Sequence, residues 1–303
     1  MSSIREPRLA AGQRVDCVGV VVHPSRDIDK PLHGLLGWAD REGVAVVQVP
    51  VVGQERAVAE PGAADDCDLL VSIGGDGTML AAIRTAVTAD RPVLGVACGS
   101  LGVLTAVSAD MLPASLDRFR RGDWSARLLP ALDVSTGGGA FFAINDLAVV
   151  RAGVGQVRVA SRVDGVLFSR LAGDGCIVST PVGSSAYALA AGGPLLAPGS
   201  EAYLLTPLAT HGGSRQPLVI GARSTLRLEI ATGIGGARLE IDGQIVAAEL
   251  DGLTVGFRPA VARLVGFAEQ EPLFATLRRR QVIVDSPRLL AEDAGRAPDC
   301  DDW

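Results

Sequence analysis

Leu69-Leu70-Val71-Ser72-Ile73-Gly74-Gly75-Asp76-Gly77-Thr78 decides how this chain is read. Leu69 to Ile73 is an apolar run of strand length that breaks at Gly74-Gly75. From Thr78 to Val87 the sequence TMLAAIRTAV sets Met79, Leu80, Ile83 and Val87 at helical spacing. A strand therefore runs through a glycine turn into a helix. Such a turn leaves backbone N–H groups unpaired at the positive end of the helix, where a phosphate is favoured. Glycines let that ligand approach the main chain closely. Asp76 adds nothing to anion attraction, so its carboxylate is free for another task, as a general base or an indirect metal ligand. The same residues would also suit an ordinary strand-to-helix turn with an Asp near the N-cap, and the motif alone leaves both readings open.

Around this turn, strands alternate with helices. Cys17 to Val22 (CVGVVV) is a first strand, and Leu32, Leu35, Leu36 and Trp38 mark a helix that ends at Gly43. Further strands are expected over 44–51 and 92–96, and a helix from Asp110 to Arg121. This alternation implies βαβ units and a parallel, Rossmann-like sheet. Ligands of such sheets bind beyond the carboxyl ends of the strands, where Asp76 would stand. Near residue 125 the pattern changes to short apolar runs separated by Gly, Asp and Pro, at 127–135, 141–150, 156–163, 166–171, 176–180, 202–208, 224–231, 237–241, 253–257 and 261–268. One helix is expected among them, from Ser184 to Ala191. The predicted organisation is an α/β domain over 15–125 carrying the glycine loop, a β-rich domain over 126–285 built as a sandwich, and a mobile acidic tail over 286–303. The first 14 residues read as a loose arm.

The bulk properties narrow the function. Hydrophobic residues make up 48% of the 303 and charged residues 20%, enough for a sizeable core. The net charge of −6 argues against non-specific nucleic-acid binding. Five scattered cysteines without a CxxC pair fit free thiols in a reducing cytoplasm. There is no apolar run long enough to span a membrane and no apolar segment typical of a secretory signal. The one lysine, Lys30, precedes Pro31, so phosphate would be handled without a Walker lysine. Three histidines and the scattered cysteines give no zinc spacing, and no metal-ligating set is assigned.

Four more stretches carry chemistry. They are Gly99-Ser100-Leu101-Gly102-Val103-Leu104-Thr105, the polar pair Asn145-Asp146 inside FFAINDLAVV, Gly173-Asp174-Gly175 leading to Ser179-Thr180-Pro181-Val182-Gly183-Ser184-Ser185-Ala186-Tyr187, and Asp242-Gly243-Gln244. Plain structural readings stand beside several of these residues and two others: a bulged strand for Asn145-Asp146, a helix cap for Ser184-Ser185, a turn for Asp174, a satisfied loop residue for His211, an inert buried thiol for Cys98.

With Ala191-Gly192-Gly193-Pro194 and the stretch from His211 to Val219, these segments resemble the NAD kinase family, in order, over roughly residues 16–280. GGDG is shared with lipid kinases and phosphofructokinases; the GDG…STPxGSxAY segment is specific. The resemblance implies transfer of the terminal phosphate of ATP to the 2′-hydroxyl of the adenosine ribose of NAD, giving NADP, with Mg²⁺ or another divalent cation. It implies that Asp76 activates that hydroxyl, and that Gly74, Gly75 and Gly77 shape the phosphate loop with Thr78. Asn145 and Asp146 match the pair that holds adenine, whose donors and acceptors an Asn/Asp pair complements. Ser185, Ala186 and Tyr187 match positions lining the dinucleotide. Asp174 matches an acid that reaches the ligand, often across a subunit boundary, and Arg84 a basic position. Asp242 and Gln244 complete the expected binding set, and a homodimer or homotetramer is implied. The chain departs from the pattern at Ala97-Cys98, Val103, Asp146, Val182, Ser185 and Gln216. The alternatives are a divergent kinase of another nucleoside-like hydroxyl and a non-catalytic dinucleotide-binding regulator.

Overall fold

In the computed structural model, which describes residues 14–53, 56–99, 102–212, 216–247 and 250–294, strand and helix alternate as far as residue 120. The elements are β1 (Cys17–Val22), α1 (Asp29–Glu42), β2 (Ala45–Gln48), β3 (Leu69–Gly74), α2 (Asp76–Thr88), β4 (Val93–Ala97), β5 (Val107–Ser108) and α3 (Leu112–Arg120). Strands then dominate: β6 (Ser125–Thr136), β7 (Gly139–Ala143), β8 (Asp146–Arg151), β9 (Val157–Val163), β10 (Val166–Gly173) and β11 (Gly175–Ser179). After the one-turn α4 (Tyr187–Ala190) come β12 (Ala202–Leu208), β13 (Leu218–Gly221), β14 (Leu226–Thr232), β15 (Ala237–Ile241), β16 (Gln244–Ala247) and β17 (Gly252–Gly266). Two helices follow, α5 (Leu273–Arg279) and α6 (Pro287–Ala294).

β1 pairs in parallel with β2 and β3, and β3 with β4. Every residue of β3 and β4 is buried, as expected of parallel strands covered on both faces. Leu35 and Trp38 of α1 pack with Leu116 and Phe119 of α3 on one face. Met79 and Ile83 of α2 pack on the other, against Val21 and Leu70. Gly43, in the left-handed region at φ 67°, ends α1 as the sequence implied.

The second half is a sandwich. One layer is an all-antiparallel sheet in the order β13-β12-β11-β8-β15-β16. The other is the outer part of a sheet in the order β10-β9-β14-β17-β4-β3-β1-β2, with β6 paired to β17, β7 to β6 and β5 to β4. Val149, Val178, Tyr203 and Leu239 from one layer meet Leu132, Val159, Leu228 and Val255 from the other. Each such buried aliphatic side chain contributes roughly 1.5–3 kcal/mol of transfer free energy.

β17 joins the two halves. Leu264 pairs in parallel with Val93 of β4, while the same strand runs antiparallel to β6 and β14. The switch near residue 125 is thus a change of strand pattern inside one continuous sheet. The runs 253–257 and 261–268 were expected as two strands. They form one, bent at an irregularity between Arg258 and Ala262 where Ala260 has φ 95°. Conversely 141–150 is two strands, β7 and β8, parted at Ile144-Asn145. The expected helix 184–191 is a single 3₁₀ turn, Gly183–Ser185, followed by α4.

The start of the tail differs from expectation. Pro287–Ala294 is helical, with Pro at its first position and Arg288 paired with Glu292 one turn on. The Ser286 hydroxyl accepts the Leu289 N–H at 3.4 Å. Residues 295–303, like nearly all of the expected N-terminal arm, lie outside the described residues.

Candidate functional site

Gly75 is the N-cap of α2, Asp76 its first residue, and no side chain caps the helix. The first N–H groups of a helix lack intrahelical acceptors, so this end offers donors to an anion. Gly74 is required by packing, since a Cβ there would lie 2.4 Å from Thr78 Oγ1. Arg26 stands beside Gly75, its Nη1 3.3 Å from where a Cβ would be.

The carboxylate of Asp76 is held by the second glycine turn. Oδ1 accepts the Leu104 N–H at 3.0 Å and Oδ2 the Val103 N–H at 3.2 Å. Gly102 allows this approach, because a Cβ would stand 2.2 Å from Asp76 Oδ1. Thr105 Oγ1 accepts the Gly102 N–H at 2.7 Å, and Arg127 donates to Val103 O at 3.2 Å. Burial pushes the pKa of Arg127 down, and the charge of Asp76 opposes that. Ser100 and Leu101 of this turn lie outside the described residues.

A second acid organises the other end of the site. Asp242 and Gly243 have φ 47° and 78°, as the two-residue type I′ turn between β15 and β16 requires. The Asp242 side chain is fully buried, with Arg84 Nε 3.4 Å from Oδ2. It accepts N–H groups from Asn145 (2.7 Å), Ile144 (3.1 Å) and Asp146 (3.2 Å). Asp242, a candidate binding residue, turns its carboxylate inward onto the β7–β8 corner, where it needs these partners once it is out of water, and Arg84, another candidate, stands against it and donates to Ile241 O and Asp242 O. Thr180 completes the clamp: its hydroxyl donates to Ile144 O at 2.7 Å and its N–H to Asn145 O at 2.9 Å. Gly183 is required there, since a Cβ would lie 1.9 Å from Asn145 O.

Two side chains at this corner stand out by their surroundings. Asn145 Oδ1 is buried without a hydrogen-bond partner, a costly state unless something donates to it. Asp146 is 7% exposed. Burial first, then the charges of Asp242 and Glu240, lift its pKa to about 7. Burial also raises the pKa of Asp242, against the pull of its amide partners and Arg84.

Ser184 is buried and structural, donating to Pro181 O at 2.7 Å and accepting the Leu196 N–H at 2.9 Å. Ser185 donates to Val182 O at 2.9 Å. Ala186 and Tyr187 are exposed. Burial of its hydroxyl raises the pKa of Tyr187, Glu240, Asp146 and Asp174 add to the rise, and Arg238 opposes it. Asp174 sits where the chain crosses from β10 in one sheet to β11 in the other, ion-paired with Arg151 at 2.6 Å. The flanking glycines permit the crossing: a Cβ on Gly175 would lie 1.8 Å from Val149 O. Gly175 pairs with Val150 while Ser179 pairs with Asp146. Asp174 is therefore beyond the far end of β11 from Asp146, about 17 Å away along the strand. Gln244 is exposed at the start of β16.

This order of elements and motifs is matched by two family models. Residues 13–124 match the ATP-NAD kinase N-terminal domain and residues 145–261 the ATP-NAD kinase C-terminal domain. The chain belongs to the NAD kinase family. It is 33% identical over 236 residues to the NAD kinase of Wolinella succinogenes, covering 75% of this chain and 81% of the relative. It is 30% identical over 262 residues to that of Syntrophotalea carbinolica, covering 81% and 90%. An NAD kinase from Archaeoglobus fulgidus solved in complex with ATP superposes with a TM-score of 0.69 at 26% identity, covering 88% of this chain and all of that one. The fold is also that of yeast NADH kinase, solved with NADH, with a TM-score of 0.76 at 21% identity over 91% of this chain and 90% of that one. As an NAD kinase the chain is a phosphotransferase that uses ATP to convert NAD to NADP.

In this NAD kinase the structure brings Asp76 together with the second glycine turn, and Asn145-Asp146 with Thr180, Gly183 and Asp242. Three charged residues beside the Asp76 loop were not singled out from sequence: Arg26, Arg127 and Arg280. The last has Nη1 3.4 Å from Asp76 Oδ2.

Proposed function

We propose that Asp76 is the general base of this NAD kinase. The observation that carries the reading is a carboxylate at the start of α2, fixed through two backbone amides yet still 32% exposed. The 2′-hydroxyl of the adenosine ribose gives its proton to Asp76 as its oxygen bonds to the γ-phosphorus of ATP. The bond from that phosphorus to the bridging oxygen breaks, and ADP leaves with the electron pair. Gly75, Gly77 and Thr78 present the amides of the α2 N-terminus to the phosphates. Asn145 Oδ1 accepts from the adenine amino group, and Asp146 faces the ring nitrogens or the ribose. Ser185, Ala186 and Tyr187 border the dinucleotide.

Among the described residues no cluster of three or more His, Cys, Asp or Glu could hold a metal ion. We infer a Mg²⁺ carried in by the triphosphate, since Mg²⁺ commonly binds through substrate phosphates with one or two carboxylates. The cation would neutralise phosphate charge. A cytoplasmic home fits the free thiols of Cys17, Cys67, Cys98 and Cys176. Among the described residues no helix is long and apolar enough to cross a membrane.

The test is purified protein with Mg²⁺, ATP or polyphosphate, and a panel of NAD, NADH and simple nucleosides, with NADP read by an NADP-specific dehydrogenase. NADP formation from NAD and ATP is expected. Binding of NAD without turnover would support a dinucleotide-binding regulator instead, and turnover of another hydroxyl alone a divergent kinase.

A further inference from the structure

α5 is anchored by Thr276 and Leu277, 5% and 2% exposed, and is closed by three successive arginines, Arg278 and Arg279 within it and Arg280 at its C-cap. Two of them tie the C-terminal segment to itself. Arg278 makes paired bonds to Asp285 at 2.8 and 2.6 Å. Arg279 reaches Glu271 at 3.0 Å, and the same carboxylate accepts the Thr276 hydroxyl at 3.0 Å. Arg280 is directed instead at the glycine loop, its Nη1 3.4 Å from Asp76 Oδ2. That is longer than the roughly 2.7–2.9 Å of a charge-assisted bond, so the pair is loose. A guanidinium carries five N–H donors, and Asp76 already has two amide partners. Arg280 therefore has capacity for a second anion. Its side chain is 40% exposed, so it can reach one.

Other cations are less well placed for that. Arg127 is half-buried and bonded to Val103 O. Lys30 is paired at the surface with Asp110. Arg26 lies on the Gly75 side of the loop.

Resting on the kinase reading above, we propose that Arg280 is a catalytic residue of the phosphoryl transfer. It stands beside Asp76 before the substrates arrive and turns its N–H groups onto the transferred phosphoryl when they do. As the ribose oxygen bonds to phosphorus and ADP departs with its electron pair, the hydroxyl proton passes to Asp76. The charge on the three non-bridging oxygens is met by the planar fork of Arg280. Lysine would supply the charge without the fork.

The test compares wild type, Arg280→Ala and Arg280→Lys in kcat, in KM for NAD and ATP, and in melting temperature, with and without added guanidinium ion. Arg280→Ala is expected to lose about 10²–10³-fold in kcat, as for loss of a charge-stabilising donor, with melting unchanged. KM for NAD should stay within about threefold, the signature of an interaction made in the transition state. Arg280→Lys should recover part of the loss, and millimolar guanidinium should partly restore Arg280→Ala. A kcat within about threefold of wild type in Arg280→Ala, or a loss confined to KM, overturns the proposal. A lowered melting temperature with no rescue by guanidinium or lysine shows a structural role and overturns it too. A wild type that makes no NADP removes the kinase reading itself, and is seen before any variant is compared.

Discussion

Asp76 and Asn145 do separable jobs, and their variants should fail differently. A ribose hydroxyl is a weak nucleophile, and a positioned base contributes roughly 10²–10⁴ in rate. Asp76→Asn keeps size and much of the hydrogen bonding but cannot take the proton. Turnover is expected to fall at least about a hundredfold while calorimetric NAD affinity stays within a few-fold. Asn145→Ala removes an unpartnered buried acceptor and should weaken binding first. Wild-type turnover in Asp76→Asn would make Asp76 a turn residue only. A second residue-scale effect comes from Asp146. Its folded pKa is about 7 against about 3.9 in an unfolded chain. Between those values the unfolded state has shed a proton that the folded state keeps. Stability therefore falls as pH rises from about 4 to 7 and is level outside that window. Asp242, also raised, adds a slope of the same sign at the acid end. Melting followed from pH 4 to 8 should show this decline, and Asp146→Asn should flatten it, melting at least about 3 °C above wild type at pH 8 and near it at pH 4. Equal slopes in the two proteins would remove the account. Asp76, Asn145 and Asp146 were legible because a polar residue inside an apolar or glycine-rich run has few bland explanations. Arg280 was not, because its partner is 204 positions away and arginines in a row read as a solvated end.

At the scale of elements, the glycine turns are coupled in a way that no local pattern shows. GxLGxLT reads as a second ligand loop. In the fold its amides grip Asp76, and Gly102 is small because the carboxylate is there. Gly102→Ala would push a Cβ against Asp76 Oδ1, 2.2 Å away, and shift the base. We expect turnover to drop about ten- to a hundredfold with little change in NAD affinity, measured as for Asp76→Asn. Unchanged kcat would mean the loop yields without moving Asp76. The inward turn of Asp242 was equally hidden, since an Asp-Gly pair reads the same whether its carboxylate faces ligand or backbone. Continuous valine and leucine runs fixed β1, β3 and β4 almost to the residue. Short helices such as α5 and α6 were missed, because seven or eight residues barely define a period. Ser286-Pro287 was the available start signal for α6.

For the whole molecule, the placement of Asp174 bears on assembly. Within one chain it lies a strand's length from Asp146, and its charge still reaches Tyr187; we infer assembly from the resemblance, in which this acid reaches a neighbouring subunit's ligand. β10 is an edge strand, and its Val166, Leu167 and Phe168 are 71%, 39% and 44% exposed. Light scattering at assay concentration should show a homodimer or homotetramer, and an active monomer would rule this out. The C-terminal helix α6 is exposed throughout its described side chains, and Arg278–Asp285 is the last ion pair before it. Truncation after residue 285 should leave turnover and melting nearly unchanged. A large loss in either would mean that the removed segment docks on the body.

The long strand β17 also sets a timetable for synthesis. Val93 and the strand holding Leu264 are neighbours in the sheet but leave the ribosome far apart in time. At roughly 5–20 residues per second, β4 waits on the order of ten seconds or more for that partner. Through that interval the nascent chain carries the glycine loop on a sheet still open along one side. Unpaired strand edges invite pairing with other chains, so the cell's exposure to misassembly is greatest before translation of this gene product ends.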